Sequence, residues 1–149
     1  LCAYLDRNLR ERGWAGDRDA AEARDAMADR LVALRYIDDA AYAAMKAEGM
    51  ARRGLGARRI GQALKHAGID DQTRADTAPD EAAGWAAAEH FARRRHIGPF
   101  ASTLADRQIR EKQIAAFLRA GHAFETARRW VDAPPGEAPD DPNSEEAPE

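Results

Sequence analysis

Residues 36–69 decide the fold. They run Tyr36-Ile37-Asp38-Asp39, a helix-spaced stretch to Met50, then Arg52-Arg53-Gly54-Leu55-Gly56-Ala57-Arg58-Arg59, and a second helix-spaced stretch closing at Gly68-Ile69. Two arginine pairs flank a glycine-containing turn, and the second pair falls in the first turn of the following helix. Cations there oppose the helix dipole, which favours negative charge at an N-terminus. An anion seated in front of that turn accounts for them. A solvated surface turn is the other reading of the same spacing.

The rest of the chain agrees that this is helical ground. Alanine supplies 35 of the 149 residues, whereas Val, Ile and Thr together supply 12, a balance that favours helix over strand. Apolar positions step by three and four: Leu5 and Leu9; Ala23, Met27, Leu31 and Leu34; Ile60 and Leu64; Trp85, Ala88 and Ala92; Phe124, Ala127 and Val131. No stretch sustains strand alternation, so the fold class is all-α. Asp17 or Asp19 can cap the second helix, and Asp38 or Asp39 the third.

Gly13, Gly68 and Gly121 each close a helix and are followed by Trp14, Ile69 and His122. That is the pattern of a left-handed glycine with the next side chain folded back onto the last turn. The glycines lie 55 and 53 residues apart, each with an apolar residue (Leu9, Leu64, Phe117) four positions before it. A repeat of about 50 residues, each two or three short helices, is the natural reading; chance likeness among alanine-rich helices is the alternative. The expected division is residues 1–53, 54–98 and 99–132, followed by a disordered, acidic, proline-rich tail over 133–149 that holds six acids and no base.

Charge is segregated. Residues 46–66 carry six bases against one acid, residues 93–129 nine against three, and residues 67–92 between them one base against six acids. Such blocks suit a polar partner, nucleic acid or an acidic protein, better than a uniform DNA coat. A single cysteine, Cys2, excludes an internal disulfide framework and fits a reducing compartment. No apolar run reaches membrane-span length, and a cytoplasmic location is expected.

Catalytic patterns are missing from the sequence. His66, His90, His96 and His122 form no metal-ligand spacing, and Gly54-Leu55-Gly56 has no following lysine of the phosphate-loop kind. Asp38-Asp39 reads as a cap plus a dipole-favourable charge rather than an acid/base pair. No metal or cofactor is expected. The candidate site residues are instead Arg52, Arg53, Arg58 and Arg59, whose guanidiniums can face one concavity if the helices meet at an angle through the Gly54–Gly56 turn, extended by Lys65 and by Arg93, Arg94 and Arg95. Favourable charge at a helix C-terminus is the competing explanation for the last three. Arg107, Arg110, Lys112 and Arg119 read as a solvated face. Trp14, Trp85, Trp130, Phe91, Phe117, Tyr36 and Tyr42 read as packing residues rather than base-stacking platforms.

Taken together, Tyr36-Ile37-Asp38-Asp39, the arginine turn through Ile60, and Leu64-x-x-x-Gly68-Ile69 resemble the regulatory protein RecX family of bacteria. The Leu9-x-x-x-Gly13-Trp14 start and the stretch around Phe117 and Phe124 fit as well. The resemblance implies an elongated, curved, right-handed-type array of three tandem three-helix repeats. It implies a non-enzymatic modulator that binds the RecA filament on single-stranded DNA and limits its extension, ATP hydrolysis and strand exchange. Weaker backbone contacts to single-stranded or duplex DNA come with it, and a monomer is the simpler expectation. A stand-alone helical DNA-binding regulator and a helical-repeat interaction scaffold are the rival readings. Departures from the family pattern are Arg35 in place of a glycine, a late start of the chain, a polar stretch over residues 70–79 that should leave only a short helix, and a final helix curtailed by the tail.

Overall fold

Alanine-rich sequence with few β-branched residues forms helices and no strand among the described residues. The computed structural model describes residues 2–16, 19–33 and 38–142, with side chains from residue 5 onward. Asp17, Leu34, Arg35, Tyr36, Ile37 and residues 143–149 lie outside them, and with them the expectations for Arg35 and for the Tyr36-Ile37 half of the signature. Eight α-helices follow one another: α1 Cys2–Arg12, α2 Ala20–Ala33, α3 Asp39–Arg52, α4 Ala57–His66, α5 Asp71–Asp76, α6 Glu81–Arg95, α7 Arg107–Ala120 and α8 Phe124–Asp132. A single 3₁₀ turn, Gly98–Phe100, separates α6 from α7.

The chain divides into two compact units, Leu1–Asp39 and Ala40–Glu149. In the first, the Arg24 guanidinium reaches Asp6 at 2.9 Å and so ties α2 to α1. Asp19 proves to be the cap, its carboxylate accepting from the Ala21 amide at 3.1 Å. The expected apolar face of α2 is not closed: no residue of this helix is buried, and Met27 is 51% exposed. Two helices share one seam, and here an ion pair occupies part of it. Trp14 is likewise half exposed rather than packed away.

The second unit holds two apolar clusters. Ala43, Ala47 and Met50 of α3 pack with Ile60 and Leu64 of α4 and with Ile69. Phe91 and Ala92 of α6, Ile97, Ile114 and Phe117 of α7, and Ala127, Trp130 and Val131 of α8 make the other. Leu55, in the arginine turn, packs against both. Small residues let the helices approach closely, and the few large side chains (Trp130, Phe117, Ile60, Leu64) are completely buried. Each of the latter withdraws about 1.5–3 kcal/mol of apolar surface from water. Tyr42 and Phe124, expected to pack, stay 42% and 53% exposed. Tyr42 instead lies under the Lys46 ammonium.

Helix ends follow the sequence closely. Asp70, Asp80 and Asp106 cap α5, α6 and α7 by accepting from the amide three residues on. The polar stretch after Ile69 yields only the six-residue α5. At the C-termini, Gly68 and Gly121 adopt left-handed conformations, and the amides of Ile69 and His122 reach back to the carbonyls of Leu64 and Phe117 at 3.1 Å. The same closure recurs at α6, where Ile97 bonds back to Ala92 at 3.0 Å, but there the left-handed residue is His96 at φ +54°. It is the only non-glycine with positive φ among the described residues.

A side chain in that conformation is strained by about 1 kcal/mol. His96 is exposed. Its replacement in His96→Gly should therefore raise unfolding stability by about 1 kcal/mol in urea titration. No gain would mean the imidazole makes a compensating contact.

Candidate functional site

The turn between α3 and α4 is built by the far end of α7. The Gly56 amide donates to the Ala120 carbonyl at 2.9 Å, and the Arg58 amide to the Gly121 carbonyl at 3.2 Å. The Arg58 guanidinium donates to the Leu118 carbonyl. Carbonyls at the end of α7 thus find donors on Gly56 and the first turn of α4, the Leu118 carbonyl in addition to the Gly121 amide it already accepts. The negative end of one helix dipole meets the positive end of another, and Arg58 supplies a cation to the negative end. This resolves the charge conflict read from the sequence. Arg58 opposes the dipole of its own helix because it serves that of α7.

No side chains fit at this junction. A Cβ on Gly56 would run into the backbone of Gly121, and one on Gly121 into the backbone amide of Arg59. Gly54 (φ +82°) faces the Phe91 backbone in the same way. Its carbonyl is held by His122, whose Nε2 lies 2.9 Å away. His122 is 6% exposed, and its ring lies 5.3 Å from Phe117 and 5.6 Å from Phe91. Burial pushes its pKa below the ordinary value, against the smaller opposing effect of the bond to Gly54. The imidazole is therefore neutral near pH 7, with the proton on the Nε2 that donates to the carbonyl.

The expected site residues separate by what holds them. Arg52 pairs with Glu48 at 2.5 Å, one helical turn back, and the Arg53 side chain donates to the Gly49 carbonyl at 3.0 Å. Arg94 donates to the Arg53 carbonyl at 2.9 Å, which brings the end of α6 onto the turn. Arg93 pairs with Glu89 at 2.7 Å and lies over the Phe100 ring, while Arg95 lies over Phe91. Arg93, Arg94 and Arg95 therefore fan apart rather than converge. The Arg59 and Lys65 side chains are exposed on α4, with no hydrogen bond or ion pair among the described residues.

Two features had no local signal. Arg110, read as part of a solvated face, clamps Asp132 with two bonds of 2.5 and 2.7 Å and so joins α7 to α8. That pairing holds the Asp132 carboxyl below its usual range and raises the guanidinium above its own. Secondly, a cleft of about 520 Å³ opens beside the turn, lined by Ala57, Asp80, Trp85, Gly121, His122 and Arg129 among others. Neither could be seen from spacing, since the partners lie far apart in the chain. No group of three or more His, Cys, Asp or Glu fit to hold a metal is present among the described residues. Among the described residues no helix is long and apolar enough to cross a membrane.

Two glycines, one capping α4 and one inside it, carry opposite predictions. Gly56→Ala should destabilise by about 2 kcal/mol, because the methyl must displace backbone. Gly61→Ala, inside α4 with open space around it, should stabilise by about 0.5–1 kcal/mol. Chemical denaturation of both variants checks this, and similar shifts for the two would count against the close approach.

His122 adds a pH dependence. Its folded pKa is depressed, so the unfolded chain binds the proton first; stability is complete above the ordinary value of 6.5 and declines as pH falls below it. In His122→Gln, which keeps an N–H for the Gly54 carbonyl but cannot titrate, the decline between about pH 6.5 and 5 should flatten. Parallel thermal-melt profiles for the two proteins would exclude His122 as its source.

Comparison with known proteins now adds to this geometry. Residues 38–77, which are α3, α4 and α5, match the family described as RecX, second three-helix domain. The regulatory protein RecX of Myxococcus xanthus is 32% identical over 140 residues, covering 91% of this chain and 74% of that protein. The regulatory protein RecX of Agrobacterium fabrum is 32% identical over 107 residues, covering 72% of this chain and 58% of that protein. No solved structure matches. With the family's second domain on the helices that carry the arginine turn, and a relative matched along most of both chains, this protein belongs to the RecX family of regulatory proteins.

Proposed function

We propose that this chain is a non-catalytic modulator of the RecA recombinase. It binds the RecA filament on single-stranded DNA and limits filament extension, ATP hydrolysis and strand exchange, acting in the cytoplasm as a monomer. Family membership supports this reading. The observation that carries it to residues is the exposed basic surface around the α3–α4 turn, where Arg59 and Lys65 have no partner in the described chain.

Arg52, Arg53, Arg58, Arg93, Arg94 and Arg95 extend the proposed contact surface, with Arg94 held on the turn by its bond to the Arg53 carbonyl. Those already paired keep donors to spare, since a guanidinium carries five N–H groups in a planar fork. The surface is suited to carboxylates on RecA or to the DNA backbone, and exposed pairs of either kind weaken as salt rises. DNA contacts without RecA are the secondary interaction in this scheme.

The test is RecA ATPase on single-stranded DNA, with and without this chain, at two salt concentrations. Inhibition should appear at low salt and weaken at high salt. Arg59→Glu/Lys65→Glu should reduce it about tenfold or more by reversing two exposed charges, while leaving the helical circular dichroism unchanged. Equal inhibition by the folded double variant would remove this surface from the contact. Sequence-selective DNA binding without RecA would favour a stand-alone DNA-binding regulator instead.

A further inference from the structure

The acidic block of residues 67–92 takes no part in the arginine surface, yet part of it lies alongside. Asp80 and Glu81, at the start of α6, line the cleft of about 520 Å³ together with Ala57, the residue before Arg58. Glu125, in the first turn of α8, lines the same cleft. Trp85 forms part of its wall. The indole is half-buried, anchored by the fully buried Trp130 at 5.1 Å between ring centres. Gly84 beside it keeps that wall low, since a Cβ added there would meet nothing within 4 Å.

The three carboxylates differ in what already holds them. Asp80 caps α6 by accepting from the Ala83 amide at 2.7 Å, and Glu125 pairs with Arg128 at 3.1 Å. The Glu81 side chain makes no hydrogen bond or ion pair among the described residues. Acids suit the first turn of a helix. That accounts for their presence on α6 and α8, but not for their meeting at a cleft walled by an indole. Against them the lining offers one arginine, Arg129, and the neutral His122. The cleft therefore carries a net negative formal charge where the adjoining turn is positive. A phosphate chain crossing this surface gains at the arginines and is repelled at the cleft. A protein segment with charges of both signs is attracted at both. Arginine suits the cleft best, because a planar guanidinium stacks on an indole, forks onto a carboxylate and sheds its hydration more readily than an ammonium.

We propose that this cleft takes an arginine side chain from an extended segment of a protein partner, stacked on Trp85 and paired with Glu81, while acidic groups of the same partner meet the arginine turn. The shared partner rests on the RecA reading above; the chemistry of the cleft does not. Two sites of opposite sign side by side also fix the direction in which the partner lies, because reversing it sets like charges together.

The cleft is tested on the full chain with the blocked tripeptide acetyl-Ala-Arg-Ala-amide, followed through the indole N–H resonance of Trp85. A saturable shift is expected, with a dissociation constant of about 1 mM. The uncharged citrulline analogue should bind about fivefold more weakly or worse. Glu81→Gln/Glu125→Gln should weaken the arginine peptide about fivefold. Gly84→Leu, which adds bulk to the cleft wall without meeting backbone and favours helix, should abolish the shift. No saturable shift, equal binding of the citrulline peptide, or undiminished binding by either variant would overturn the proposal. So would a Trp85 shift produced by oligo-thymidine in place of the peptide, which gives the cleft to nucleic acid. In the RecA ATPase assay the same two variants should inhibit about threefold less. Full inhibition by both would overturn the shared partner. No inhibition by the parent chain would instead sink the RecA reading, and the peptide alone would then decide the cleft.

Discussion

The meeting of the α7 C-terminus with the α4 N-terminus is the constraint on which the second unit depends. Backbone bonds from Gly56 and Arg58 to the carbonyls of Ala120 and Gly121 leave no room for a Cβ on either glycine. Polar backbone groups that a buried helix end would otherwise leave unpaired are answered across the junction. Because the contact is main chain to main chain, it fixes the turn more rigidly than side-chain packing would. Leu55 sits between Gly54 and Gly56 and packs against both apolar clusters, so the junction also joins the cores.

That rigidity sorts the arginines. Arg58 is drawn onto the Leu118 carbonyl and Arg94 onto the Arg53 carbonyl, and both contribute to holding the turn. The Arg59 side chain, one residue on from Arg58, is exposed and makes no hydrogen bond or ion pair among the described residues. Neighbouring residues of one type in one helix turn therefore do different physical work. Substituting Arg58 mixes loss of a fold contact with loss of surface charge, whereas substituting Arg59 changes the charge alone.

The sequence was most legible where structure depends on near neighbours. Helix periodicity, the aspartate caps and the left-handed glycines with their apolar partners four residues earlier are local matters of hydrogen bonding and sterics. They reappear in the fold, at Leu64-Gly68 and Phe117-Gly121 down to the carbonyl used. The arginine turn was also visible, and so was the electrostatic cost of Arg58 and Arg59. The relief of that cost was not, because Leu118 and Gly121 lie some 60 positions away. Arg110 with Asp132 escaped for the same reason. The apolar faces of α2 and of Tyr42 were over-read: periodicity says which residues share a face, not that another element covers it. The left-handed His96 broke the glycine rule and so hid the closure of α6.

The three buried residues that follow left-handed helix ends in the second unit show how similar units come to differ. Ile69, Ile97 and His122 occupy the same position after α4, α6 and α7, and are 5%, 3% and 6% exposed. At that position the fold asks for a side chain turned back into the core, and isoleucine meets the demand with apolar area alone. Histidine fills the same space between Phe91 and Phe117 but brings a donor that must be satisfied once buried. The Gly54 carbonyl satisfies it, and Gly54 belongs to the turn that α7 already grips through Gly56 and Arg58. The polar residue thus converts a local helix end into a specific attachment between segments 68 positions apart. An isoleucine there would fill the same space and leave the carbonyl unbonded, so the histidine adds a third segment, Gly54, to the bonds by which the end of α7 already holds the arginine turn.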